Sequence, residues 1–336
     1  MIEVKIAKLL APYDLIFESD NLDENALETD DILCKTLFSA ISSGTEISAY
    51  SGAPPLRPIK AYPRLVGYCN VAEIISLGSS ITNYKVGQRV LTFSSHRSHF
   101  TVKNKDILAI IPDGVSSQFA STAYIFHLGY DAVLNSNIKY GSPVVVIGLG
   151  IIGLGSVVAS TMSGGKVFAI SNHDVPKKAA LQMGAIEVFS RNEISELKSI
   201  LGNRMADVVF TTSNSWNDWE IALDLAGYNG KICILGFPGR GIEDIPFNPL
   251  DSRYLYHKQL TLQAVGHAPE ENDSRKFLKF NEKDNLNFIL NEIDKKNIDP
   301  SLIITDEIPW SDLDNAYKKL LSRDESPFTY ILDWNT

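Results

Sequence analysis

The sequence predicts an α/β protein of two domains, a barrel-like β domain and a doubly wound parallel sheet covered by helices. Three observations carry that prediction. The first third of the chain reads as short strands broken by Gly and Pro. From Pro143 onward, β-branched strands alternate with helical stretches. At the join, VIGLGIIGLG sets a glycine-rich turn directly between a strand and a helix.

Taken in order, DDILCKTLFSAI (30–41) is apolar at every second position behind an acidic lead-in, the period of a half-buried strand. It runs into ISSGTEISAYSG (41–52), a cluster of hydroxyls with two glycines and one glutamate. YPRLVGYCNVAEIISLG (62–78) and KVGQRVLTF (85–93) read as two further strands, and FTVKNKDILAIIPDG (100–114) as another pair. QFASTAYIFHLGYDAVL (118–134) has helical spacing. Then PVVVI is a strand, the stretch after the glycine turn is a helix, and Gly164-Gly165 stops it. KVFAIS, ADVVFTT, GKICILGF and LTLQAVG read as strands, with helices at VPKKAALQMGA and WNDWEIALDLAG. That alternation is the pattern of a parallel sheet. The tail adds amphipathic helices at NLNFILNEIDKKNI and WSDLDNAYKKLL and a closing strand, FTYILDW. The charged stretch from Glu270 to Lys296 reads as solvated surface with a helix in it.

Bulk composition narrows the function. The chain has 336 residues, 44% hydrophobic and 21% charged, a globular balance with room for two cores. Its net charge of −9, with no segregated basic face, argues against a nucleic-acid partner. Cys34, Cys69 and Cys233 lie far apart, which fits a reducing compartment and provides neither a disulfide framework nor a Cys-rich zinc site. The start, MIEVKIAKLLAPYD, lacks a signal-peptide pattern, and no stretch approaches the roughly 20 apolar residues of a membrane helix. The expectation is a soluble cytoplasmic protein with a small-molecule substrate and no membrane partner.

The glycine turn names a cofactor class. Gly148, Gly150 and Gly153 follow a β-branched strand and open a helix, the context in which GxGxxG binds a dinucleotide. Gly148 allows the tight turn, Gly150 the approach of backbone amides to a pyrophosphate, and Gly153 the packing of helix on strand. The intervening Leu149, Ile151 and Ile152 belong to the same cradle, and Thr212, closing ADVVFTT, joins it. The alternative is a bare strand–helix turn. The next strand, KVFAI, ends in Ser171-Asn172-His173 rather than the carboxylate usual for NAD. A hydroxyl and an amide can donate to a 2′-phosphate, and Lys177 and Lys178 stand close by, so NADP is expected over NAD.

With these parts in place, the chain resembles the medium-chain dehydrogenase/reductase superfamily, the zinc-type alcohol dehydrogenase-like proteins. The carriers are SSGTE (42–46), LVGYCNVAEIISLG, VGQRV, GLGIIG, GKICILGFPG and PFTYILDW. It looks closest to the branch that includes the bacteriochlorophyllide hydroxyethyl dehydrogenase. The resemblance implies a GroES-like β-barrel catalytic domain at 1–122 with 265–336, and a Rossmann-type domain at 123–264. It also implies a homodimer joined through ICILGF and LTLQAV. By resemblance, Ile152 packs behind the nicotinamide, and Leu235, Gly236 and Phe237 line its amide side.

The resemblance breaks at the metal. The three zinc-ligand positions of the family correspond to Ser43, Tyr68 and a residue near Ala123, and the four-cysteine structural-zinc lobe is missing. None of the three is a normal zinc donor, so no zinc is expected. The counter-hypothesis is a relocated metal on Cys69, His96, His99 or His127, with His96 and His99 otherwise read as surface groups. The expected catalytic residues are Thr45 and Ser48 at the family's proton-relay positions, Tyr68 in the metal-ligand position, and His127, whose imidazole ordinarily titrates near neutrality. For Thr45 and Ser48 the alternative is a turn or helix cap. Pocket walls are expected around Tyr50, Pro54–Pro55, His96, Phe126 and His267. The implied reaction is zinc-independent, NAD(P)-dependent interconversion of a secondary alcohol and a ketone on a small or ring-shaped substrate in a biosynthetic pathway. The alternatives are an enoyl or quinone reductase and a non-catalytic dinucleotide-binding protein.

Overall fold

Alternation and turn chemistry set the first elements. The computed structural model describes residues 1–54, 62–238, 245 and 247–336, so Pro55 of the expected pocket wall and Gly239 of GKICILGFPG lie outside the described residues. The chain divides into a unit of Met1–Tyr124 with Pro269–Thr336 and a unit of Ile125–Ala268. In the first, β1 (Ile2–Ala11) and β2 (Asp14–Leu22) make an antiparallel hairpin that the sequence reading left unassigned. The half-buried strand foreseen at DDILCKTLFSAI is β3 (Asp31–Ala40). Directly after it, the polar cluster forms a helix, α1 (Ser43–Tyr50).

The run YPRLVGYCNVAEIISLG is two strands rather than one. β4 (Arg64–Leu65) joins β1, and β5 (Cys69–Leu77) joins β3. Gly67, at φ +86°, makes the break, because an L side chain is strained there. Tyr68 therefore sits at the corner where the chain changes sheets. β6 (Arg89–Thr92), β7 (His99–Lys103), β8 (Ala109–Ile110) and the short α2 (Ser117–Ala120) follow.

The second unit begins within α3 (Ala123–Leu134). It continues as β9 (Pro143–Ile147), α4 (Ile151–Met162), β10 (Lys166–Ile170), α5 (Asp174–Gln182), β11 (Glu187–Phe189), α6 (Ile194–Leu201), β12 (Ala206–Thr211), α7 (Trp216–Leu225), β13 (Ala226–Ile234), α8 (Leu255–Lys258) and β14 (Thr261–Ala264). Its strands run parallel in the order β11-β10-β9-β12-β13-β14. The central strand β9 is apolar throughout because helices cover both faces, and Val144 to Ile147 are fully buried. Close backbone contact fastens α3 to α4, since a Cβ on Gly129 would lie 2.4 Å from the Gly155 carbonyl carbon. The reading missed β11 and α6, both short.

The tail returns to the first unit as α9 (Glu282–Asp294), β15 (Ile304–Pro309), α10 (Leu313–Ser322) and β16 (Thr329–Asp333). The stretch read as solvated surface is half core: Leu286, Ile289, Leu290 and Ile293 of α9 are buried. The larger sheet of this unit runs β15-β16-β3-β5-β6-β8, with β7 also on β3, and the smaller one β2-β1-β4. Helix α10 buries Leu313, Ala316, Tyr317 and Leu320 against a core that includes Leu9, Ile41, Tyr50 and Trp334. That packing brings two tail aromatics, Tyr317 and Trp334, into the core that also holds Ala49 and Tyr50 of α1. Among the described residues no helix is long and apolar enough to cross a membrane.

Candidate active site

Three hydroxyls meet where α1 starts. Ser42 is its N-cap, Thr45 lies in its first turn, and Tyr68 reaches them from the corner between β4 and β5. The Tyr68 phenol hydrogen-bonds Ser42 Oγ and lies 3.4 Å from Thr45 Oγ1. Its ring packs edge-on against Tyr124, centroids 5.6 Å apart at 88°. Burial pushes the phenol well above its ordinary range, with Cys69 and the Glu46 carboxylate adding to the rise and the Ser42 and Thr45 hydroxyls opposing it. Tyr68 is therefore a neutral O–H at physiological pH. Thr45 is exposed to solvent. Ser48 takes no part in this cluster, because its hydroxyl donates to the Gly44 carbonyl at 2.8 Å within α1.

Beneath the cluster lies a buried polar chain that sequence reasoning missed. Glu46, 2% exposed, turns back under its own helix, and its Oε1 accepts the Ser42 backbone N–H at 2.7 Å. Its Oε2 accepts the Tyr317 hydroxyl at 2.5 Å and meets His96 Nε2 at 2.9 Å. His96 Nδ1 meets Ser39 Oγ at 2.8 Å, and the Trp334 indole donates to the same oxygen at 2.9 Å. A carboxylate only accepts, so His96 Nε2–H donates to Glu46, and His96 Nδ1 shares its bond with the Ser39 hydroxyl. Burying a carboxylate is costly unless it is fully hydrogen-bonded, and Glu46 has three donors. A glutamate four residues after a helix-capping serine was the one available sequence signal. Its distant partners left none.

Two expectations are corrected here. His96 is no surface group: it is fully buried, with both nitrogens engaged. Tyr50, His96 and Phe126 are fully buried core side chains and cannot be pocket walls.

Zinc fits these residues poorly. The positions that the resemblance assigns to ligands present a serine hydroxyl, a phenol held protonated and, near the third, the fully buried methyl group of Ala123. Cys69 is fully buried, and that burial pushes its thiol well above the range in which a thiolate forms. His96 has no free nitrogen, and His99 Nδ1 is 3.2 Å from Ser98 Oγ. Among the described residues, the one metal-like cluster is Glu28, Asp30 and Asp31, and Lys103 grips all three carboxylates at 2.6–2.8 Å.

His127 lies in the second unit, 2% exposed on α3. Burial pushes its imidazole down to about 4, so it is neutral at pH 7 rather than titrating near neutrality.

The glycine turn expected to cradle a dinucleotide has the geometry its glycines require. Gly148 has φ +89° and donates its N–H to the Ile170 carbonyl, 3.2 Å. Thr212 braces the turn, its hydroxyl 2.7 Å from the Gly148 carbonyl. A Cβ on Gly153 would lie 1.9 Å from that carbonyl, so this glycine lets helix α4 close on the turn itself. Gly150 caps α4 with no side chain, and a Cβ there would meet nothing within 4 Å. The first intrahelical bond is Leu154 N–H to Gly150 O, at 2.9 Å, leaving the amides of residues 151–153 without helical acceptors. An open helix N-terminus of this kind fits a pyrophosphate. Leu149 and Ile151 are buried against it and Ile152 is half-buried. Leu235 and Gly236 follow β13, both N–H groups on the Thr211 carbonyl, and Phe237 is half-buried beside them.

At the far end of the cradle, Ser171 is buried and its hydroxyl accepts the His173 N–H at 3.2 Å. Asn172 Oδ1 accepts the Arg191 N–H at 2.9 Å, and Lys177 Nζ donates to Ser190 Oγ at 2.6 Å. Arg191, unforeseen, forks onto the fully buried Asp218 with two 2.7 Å bonds.

Residues 152–282 match the family model for zinc-binding dehydrogenases. The chain is 24% identical to sorbitol dehydrogenase of Bacillus subtilis over 253 residues, 65% of this chain and 71% of that protein. Its fold is that of 2R,3R-butanediol dehydrogenase from Bacillus subtilis, with TM-score 0.81 at 18% identity over 98% of this chain and 99% of that one. This chain is a dehydrogenase-type oxidoreductase. The match supports the zinc-type alcohol dehydrogenase-like superfamily. Two further solved structures share the fold and hold cofactor. One, from Sinorhizobium meliloti 1021, is bound to NADP, with TM-score 0.80, 16% identity and coverage of 99% and 100%. The other, from E. coli CFT073, is complexed with NADH, with TM-score 0.80, 16% identity and coverage of 98% and 99%.

Proposed function

We propose that this dehydrogenase interconverts a secondary alcohol and a ketone with NADP as cofactor and without zinc, using the Tyr68 phenol as its acid and base. The observation that carries the reading is a neutral, half-buried Tyr68 O–H set against Ser42 and Thr45. Gly148, Gly150 and Gly153 would hold the nicotinamide dinucleotide, which would supply or take up a hydride when bound. A carbonyl oxygen reduced in this way needs a proton. Tyr68 Oη gives it, and Thr45, open to solvent, returns one to the phenolate. In the oxidative direction each transfer reverses. His127, neutral and buried, remains as a hydrogen-bond donor without net charge.

The choice of NADP rests on Ser171 and Asn172 at the strand end, on Lys177, and on Arg191 beside them. The one nearby buried carboxylate, Asp218, is already spent on Arg191. In the sheet of the second unit β14 is the terminal strand, an edge on which a second copy can add to form a homodimer.

The test is a panel of cyclic and acyclic ketones with matched enones, assayed with NADPH. The expected result is turnover of ketones, with Tyr68→Phe lowering kcat at least about ten-fold, the usual scale of acid–base catalysis, while NADPH affinity holds. Turnover confined to enones, or a fully active Tyr68→Phe, refutes it.

A further inference from the structure

The hydroxyl cluster does not hold itself in place. Tyr68 has two anchors, and each ends on the same buried pair. Its acceptor, Ser42, is fixed through its backbone N–H by Glu46 Oε1 at 2.7 Å. Its hinge, Gly67, lies flat on the His96 imidazole, where a Cβ would fall 2.6 Å from Cγ, Nδ1 and Cδ2. Glu46 and His96 are bonded to each other at 2.9 Å, and Tyr317, Ser39 and Trp334 lock the pair from behind.

We propose that the buried Glu46–His96 pair is the positioning device of this active site, holding Ser42 and Gly67 so that the Tyr68 hydroxyl is aimed by a carboxylate–imidazole bond instead of by a metal. This deepens the reading of Tyr68 given above and rests on it for its catalytic consequence. Neither residue touches the reacting atoms. Among the described residues the connection from Glu46 to Tyr68 passes through the backbone N–H of Ser42, which relays no proton. The role is geometric.

Glu46→Gln perturbs the pair selectively. Three donors face the carboxylate: Ser42 N–H on one oxygen, Tyr317 O–H and His96 Nε2–H on the other. A glutamine keeps one oxygen. Turned to face the two donors, it presents its NH2 to the Ser42 N–H and breaks the bond that anchors Ser42.

The experiment is a double-mutant cycle of Glu46→Gln and Tyr68→Phe on the full chain, read by kcat and KM with NADPH and by the tyrosine 13Cζ resonance of Tyr68. The expected result is a ten-fold or greater loss of kcat in Glu46→Gln, an unchanged KM for NADPH, a displaced Tyr68 resonance, and no further loss when Glu46→Gln is added to Tyr68→Phe. If Glu46→Gln costs as much in the Tyr68→Phe background as in the wild type, the residue acts on stability alone and the proposal is overturned. An undisplaced Tyr68 resonance overturns it equally. If Tyr68→Phe is itself fully active, the catalytic reading of Tyr68 fails, while the resonance still decides whether Glu46 positions the ring. Should Glu46→Gln not fold, Ser39→Ala frees His96 Nδ1 with a smaller change in volume, and the same cycle and the same outcomes apply.

Discussion

His127 offers a prediction whose size follows from its burial. In the folded chain its imidazole is pushed down to about 4. In the unfolded chain it returns to about 6.5, the ordinary value. Between those values the unfolded chain binds a proton that the folded chain does not, so acidification favours unfolding. The stabilisation is fully present above about pH 6.5 and is lost as pH falls toward 4. Proton linkage puts the cost at about 2 kcal/mol by pH 5 and about 3 kcal/mol at pH 4. A His127→Gln variant has no such titration. Urea unfolding of both proteins at pH 7 and pH 5, followed by circular dichroism, isolates the effect, because every other titrating group is common to the two. The wild type should lose about 2 kcal/mol more than the variant across that interval. Equal losses refute the account of a buried, neutral imidazole. The same neutrality predicts no acid limb near pH 6.5 in kcat from this residue.

Three further outcomes are expected. Gly67→Ala forces an L side chain to φ +86° and a methyl to within 2.6 Å of the His96 ring, so activity should fall together with a loss of at least about 1–2 kcal/mol in stability; thermal unfolding beside a ketone assay measures both. Ser171→Asp puts a carboxylate at the end of β10, where it repels a 2′-phosphate and accepts ribose hydroxyls; the ratio of KM values should move toward NADH by about ten-fold or more, and a wild type that already prefers NADH strongly would sink the NADP reading. Metal analysis should find zinc well below one ion per chain, with activity unchanged by a chelator, whereas stoichiometric zinc whose removal abolishes turnover would overturn the metal-free reading.

The sequence by itself determined what local chemistry controls. A strand of β-branched residues, glycines at 148, 150 and 153 and a helix beginning at Ile151 are contiguous, and each glycine answers a steric need of its neighbours. The parallel sheet was legible because strands buried on both faces are apolar throughout. Short elements were not: α1 contains Gly44, Thr45 and Ile47, poor helix formers, and depends on a glutamate turned back beneath it. His127 was found by position, but its neutrality comes from burial, which no local pattern announces.

Only the tertiary structure decided what lies beneath Ser42, Thr45 and Tyr68. Glu46 and Tyr317 are 271 residues apart, and Ser39 and Trp334 are 295 apart. A buried carboxylate must find its donors wherever packing brings them. Here they come from the start of α1, from the loop that carries His96 and from α10, while the residue after β16, Trp334, bonds Ser39 behind His96. The sequence shows a serine at 43 and a tyrosine at 68, where the resemblance implies metal ligands. That Glu46 and His96 lie beneath them is visible only in the fold.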